Sequence, residues 1–102
     1  MSFEKIFEDI NFNFQANRVL SFGDVAFKRE EIYEAAEKTH DFGSWYTEWR
    51  NIAETAEKDG RYMHSMYYYQ MAEFMLKDNN PQKDKMYYKC VEMFDKAVPK
   101  VQ

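Results

Sequence analysis

What most constrains this chain is where its helix-breaking residues stand. Three glycines and two prolines occur in 102 residues, well below the roughly 7% and 5% of average usage. Gly23, Gly43, Gly60, Pro81 and Pro99 each stand alone, between long segments that have no breaker. A loop-rich sandwich would need frequent turn residues, so the segments read as helices with short connections, which implies antiparallel neighbours. A chain of this length buries roughly two thirds of its unfolded surface, enough for one core but not for a deep enclosed catalytic cleft as well.

Residues 1–22 form an irregular aromatic arm, with Phe3, Phe7, Phe12, Phe14 and Phe22 spread around room for one short helix and the turn-prone Asn11 and Asn13. Residues 23–102 follow as a helical domain. Its first helix is expected over Asp24 to His40, with Val25, Ile32, Ala36 and Thr39 on one face and Lys28, Glu30, Glu31, Glu34, Glu37 and Lys38 on a solvated one. Ser44 is positioned to cap the next helix, whose stripe of Trp45, Trp49, Ile52, Ala53 and Ala56 narrows from bulky to small. The narrowing should let a neighbouring helix approach closely near Ala53 and Ala56. Gly60 supplies a left-handed stop.

The segment Arg61 to Leu76 is apolar on nearly every side and should be buried on more than one. Asn80 and Pro81 restart the chain as cap and first helical residue. The last helix presents Tyr87, Cys90, Val91, Phe94 and Val98 along one stripe, with Pro99 at its end. The expected fold is therefore all-α: four to five antiparallel helices in a helical-hairpin, TPR-like array. Trp45, Trp49, Ile52, Ala53, Cys90, Val91 and Phe94 are assigned to its core.

Only two leucines, Leu20 and Leu76, accompany nine phenylalanines, eight tyrosines, two tryptophans and seven methionines. The surplus aromatic surface is more than a core of this size requires, and it points to a face that meets something. A formal charge of −4 with dispersed Lys and Arg lacks the footprint of a nucleic-acid binder. No segment approaches the ~20 apolar residues of a membrane span. The amino terminus alternates charged and apolar residues, unlike a signal peptide, and the single Cys90 excludes an internal disulfide. A cytoplasmic setting is the expectation.

No catalytic machinery, metal or cofactor site is expected. Ser2, Ser21, Ser44 and Ser65 lack a nucleophile-elbow frame. Cys90 reads as a packed thiol. Glu37 and His40 have the Glu-x-x-His spacing of a di-iron bundle, but His64 is preceded by Arg61 at the matching offset. His40 instead suits a helix C-terminus, where the dipole favours its positive form. The isolated glycines make no phosphate loop.

The order Trp45-x-x-x-Trp49, Ala53, Ala56, Gly60, Tyr67-Tyr68-Tyr69-Gln70-Met71-Ala72-Glu73-Phe74, Asn79-Asn80-Pro81 and Tyr87-Tyr88-Lys89-Cys90-Val91-Glu92-Met93-Phe94-Asp95-Lys96-Ala97 resembles the amino-terminal helical domain of α/β-hydrolases of the dihydropseudooxynicotine hydrolase group. The likeness covers about residues 20 to 98. It implies a cytoplasmic, non-catalytic cap that covers and shapes an apolar pocket on a serine-dependent catalytic domain, and it assigns no catalytic residue here. The implied partner is the catalytic domain of a longer parent chain; the surplus aromatic surface by itself offers a second copy of the chain as the other. Phe12, Phe14, Tyr67 and Tyr68, aromatics outside the cleanest stripes, are the expected substrate- or domain-facing residues. The alternative is a free-standing TPR-like interaction module, since Trp49, Ile52, Ala53, Gly60, Tyr69 and Ala72 partly fit such a hairpin.

Overall fold

The computed structural model describes residues 4–98. Among them the chain forms five α-helices and no strand: α1 (Ile10–Leu20), α2 (Arg29–Lys38), α3 (Phe42–Lys58), α4 (Tyr62–Phe74) and α5 (Pro81–Ala97). The expected roles of Phe3, Ser2 and Pro99 lie outside the described residues.

The amino-terminal arm is more ordered than its composition implies. Asp9 caps α1 by accepting from the Asn11 and Phe12 amides at 2.8 and 3.1 Å. Asn11 and Asn13, which read as turn formers, sit inside the helix, and the side chains of Asn13 and Asn17 bind the preceding segment to it. Asn13 Oδ1 accepts from the Ile6 and Phe7 amides, while Asn17 exchanges hydrogen bonds with the backbone of Glu4 in both directions. Phe7 is thereby held in the core, 5.2 Å from Trp45 between ring centres.

The second helix begins five residues later than expected. Gly23 takes a positive φ of 82°, and the Lys28 amide donates to the Tyr68 hydroxyl at 2.8 Å instead of entering a helix. Val25 is consequently exposed, and Ala26, Phe27, Ile32 and Ala35 supply the buried surface of this region.

Helix α3 starts before Ser44. Asp41 is its N-cap, accepting from the Ser44 amide at 2.8 Å, and the Ser44 hydroxyl accepts in return from the Asp41 amide at 3.0 Å. Ser44 thus completes a capping box from inside the first turn. At the other end Gly60, with φ of 76°, makes a paired C-cap: the Arg61 amide donates to Ala56 O and the Gly60 amide to Glu57 O.

Helices α3 and α4 pack antiparallel, as do α4 and α5. Trp45 Nε1 donates to Met71 O at 2.9 Å near one end of the α3–α4 pair, and Ser65 Oγ donates to Ala53 O at 2.8 Å near the other. The second contact is the close approach that the narrowing stripe predicts. The core gathers Phe7, Phe12, Trp45, Trp49 and Tyr68 around the start of α3 and the middle of α4, with Trp45 and Trp49 5.3 Å apart.

The last helix differs most from expectation. Met86 and Met93 face the core and Cys90 is half-buried, while Val91 and Phe94 are 41% and 48% exposed. The core assignment of Val91 and Phe94 is corrected accordingly. The helix carries two apolar sequences at the same spacing, Met86-Cys90-Met93-Ala97 and Tyr87-Val91-Phe94-Val98, and the former packs against α4.

Candidate functional site

The four aromatics expected on a partner-facing surface divide. Phe12 is buried, with its ring 4.7 Å from that of Trp45. Tyr68 is fully buried, and its hydroxyl donates to Glu31 Oε1 at 3.0 Å while accepting the Lys28 amide. Neither ring faces outward, so both leave the expected surface. Burial pushes the Tyr68 phenol above its ordinary range. Phe14 is exposed. Tyr67 is half-buried and stacks on the exposed Phe22 at 5.1 Å.

Tyr68 belongs to a polar clasp. Arg61 reaches both Glu31 oxygens, at 2.9 and 2.7 Å, and Asp59 Oδ2 at 3.0 Å. Its hydrogen bond to Glu31 leads in holding the guanidinium above its ordinary range. His64 Nε2 lies 2.8 Å from Asp24 O, so this nitrogen carries the proton and Nδ1 accepts from Arg61 at 2.9 Å. The clasp fixes α2 and the preceding loop to the start of α4, a structural role.

The described serines are engaged with nearby or packed backbone: Ser21 donates to Arg18 O, Ser44 completes the α3 cap and the buried Ser65 bonds Ala53 O. Burial pushes the Cys90 thiol up. His40 is exposed and stands immediately after Thr39, the C-cap of α2, 3.5 Å from Asp41 Oδ2. Among the described residues no group of three or more His, Cys, Asp and Glu side chains could hold a metal ion, and no helix is long and apolar enough to cross a membrane.

Two surfaces stand out. The first is the outer stripe of α5, where Tyr87, Val91, Phe94 and Val98 are exposed and Tyr87 meets Tyr88 edge to face. Together they leave on the order of 300 Å² of apolar area in water, taking ~150–250 Å² for an aromatic residue.

The second is a groove of about 870 Å³ between α3 and α5, lined by Glu54, Glu57 and Lys58 on one side, Lys85, Met86, Tyr88, Lys89 and Lys96 on the other, and Tyr62 and Tyr69 of α4. Its floor is cross-linked. Glu57 accepts from Tyr69 at 2.7 Å and from Lys89 at 2.9 Å. Burial opposes ionisation of Glu57, but these two donors and the Lys89 charge outweigh it and hold the carboxyl below its ordinary range. Burial and the Glu57 hydrogen bond raise the Tyr69 phenol. Lys96 lies over the Tyr62 ring at 5.4 Å. The sequence signal for this groove was the lysine set 85, 89 and 96, which recurs on one side of α5.

Compared with protein families, curated proteins and solved structures, the chain matches none.

Proposed function

We propose that this chain is the non-catalytic helical cap of a cytoplasmic α/β-hydrolase of the serine-esterase type, lying over a catalytic domain and shaping its apolar pocket. The observation that carries the reading is the outer stripe of α5. A helical layer that already closes its own core turns Tyr87, Val91, Phe94 and Val98 to solvent, the arrangement of an edge that another body covers. The sequence resemblance supplies the identity of that body. A cap contributes by excluding water and orienting substrate, with bond making left to the domain beneath.

The coding sequence after Gln102 tests the reading. It is expected to continue into a strand-rich segment bearing Gly-x-Ser-x-Gly, and a stop codon there would refute the cap in this form. The purified chain is expected to leave short acyl esters intact; turnover abolished by replacing one of its serines would contradict a non-catalytic role. Self-association through the same stripe is the competing use, read by sedimentation of the chain and of Val91→Ser/Phe94→Ser.

A second reading, a free-standing TPR-like interaction module, draws on a different observation. The α3–α4–α5 layer leaves an open groove on the side away from the stripe.

A further inference from the structure

We propose that the groove between α3 and α5 binds an extended acidic peptide, with its carboxylates on Lys58 and Lys85 and its apolar side chains over Tyr62 and Tyr88. At about 100° per residue, α5 turns Lys85, Lys89 and Lys96 to the side opposite Tyr87, Val91 and Phe94. The groove and the outer stripe can therefore be occupied together, and the proposal does not depend on the cap reading.

Charge supports the choice of partner. The chain carries a formal −4, yet the groove gathers four lysines against two glutamates. Glu57 is already neutralised by Lys89, and Lys96 is paired to Glu92 at 3.2 Å. Lys58 and Lys85 are exposed and carry no ion pair among the described residues. Two uncommitted ammonium groups thus stand on opposite walls, one on α3 and one on α5, with Glu54 as the single uncommitted opposing charge. A basic or neutral segment would leave both unmatched, whereas an acidic one meets them at the rim, where such pairs steer association.

The floor explains why the partner is a peptide and not a free anion. Met86 and Tyr69 are already covered, at 6% and 2% exposure, whereas Tyr62 is half-buried and Tyr88 stands over the rim at 67%. A bare anion would use the lysines and leave the Tyr62 and Tyr88 rings wet. From Lys85 to Lys96 the helix rises about 17 Å, which matches about five residues of extended chain at ~3.3 Å each.

The test is fluorescence anisotropy of the purified chain with the labelled pentapeptide Asp-Leu-Glu-Leu-Asp, with Lys-Leu-Lys-Leu-Lys as comparator. Saturable binding of the acidic peptide alone is expected, weakening as salt is raised. Lys58→Glu/Lys85→Glu should lower affinity at least about tenfold, since each reversal replaces an attraction with a repulsion, and Lys58→Arg/Lys85→Arg should retain it. Should the charge reversal disturb folding by circular dichroism, Lys58→Gln/Lys85→Gln carries the same comparison. The stripe variant Val91→Ser/Phe94→Ser should bind normally. Absence of saturable binding, equal binding of the basic peptide, or indifference to the lysine replacements would each overturn the proposal. So would loss of peptide binding in the stripe variant, or a dimer that dissociates when Lys58 and Lys85 are reversed, which would put a second copy in the groove.

Discussion

Replacing Tyr68 by Phe removes one oxygen atom and leaves the buried ring in place, so it isolates what the hydroxyl does. That oxygen accepts the Lys28 amide at 2.8 Å and donates to Glu31 at 3.0 Å. Losing the first contact strands a partly buried backbone donor, worth about 1–3 kcal/mol, and losing the second removes a hydrogen bond to a charged group, worth about 1.5–3 kcal/mol. Glu31 keeps both of its bonds to Arg61, so the sum is not fully additive. The expected loss is about 2–4 kcal/mol, or a fall in Tm of roughly 10–25 °C for a domain of this size. Urea denaturation is the assay: the midpoint should drop with the slope unchanged. Exchange of the Lys28 amide with solvent should accelerate in the same variant. A tyrosine on an open surface would change stability by less than about 0.5 kcal/mol. A loss that small, with Lys28 exchange unaltered, would refute the clasp that joins α2 to α4.

Further outcomes follow from the same contacts. Gly60→Ala meets no neighbouring atom, so its cost should be conformational alone, about 1–2 kcal/mol by urea denaturation. Met93→Ala should cost about 2–5 kcal/mol as a core truncation, whereas Phe94→Ala should cost under about 1 kcal/mol; the reverse order would restore the stripe to the core. Glu57 has its carboxyl lowered in the fold, so its stabilising contribution is complete above the ordinary value of 4.5 and is lost as pH falls through the lower folded value. Glu57→Gln should therefore flatten the acid limb of a stability profile measured below about pH 5. Cys90, half-buried with its thiol pushed up, should react with a disulfide reagent at least about tenfold more slowly than free cysteine at pH 8.

Helix identity, the Gly60 stop, the Asn80–Pro81 restart and the tapering face of α3 were legible because each rests on local geometry. The sides of α5 were not. Met86-Cys90-Met93-Ala97 and Tyr87-Val91-Phe94-Val98 share one spacing, both are apolar, and periodicity cannot choose between them. Aromatic and β-branched residues look more like a core than methionine does, but methionine's flexible side chain suits the irregular space against α4. The short helix of the arm was legible, but what ties the preceding segment to it was not, for a related reason. Asn11 and Asn13 signal turns when judged locally, and the partners that hold Asn13 and Asn17, the backbone of Glu4, Ile6 and Phe7, lie up to 13 residues away. Tyr68 looked available because it lies outside the cleanest apolar stripes, and no local pattern reveals that its hydroxyl reaches a residue 40 positions earlier.

The two indoles have an optical consequence. Trp45 and Trp49 are the chain's only tryptophans, both fully buried and one turn apart. Trp45 bonds Met71 O, while Trp49 Nε1 has no hydrogen-bond partner among the described residues. Phe7, Phe12 and Tyr68 press on them from three further segments of the chain. Their near-ultraviolet circular dichroism therefore reports the junction of the arm, α1, α3 and α4, and their emission should be blue-shifted and slow to quench. A state that kept its helices but lost side-chain order would retain the far-ultraviolet signal and fall silent in the near-ultraviolet. The native chain thus carries an intrinsic spectroscopic probe of its own tertiary packing.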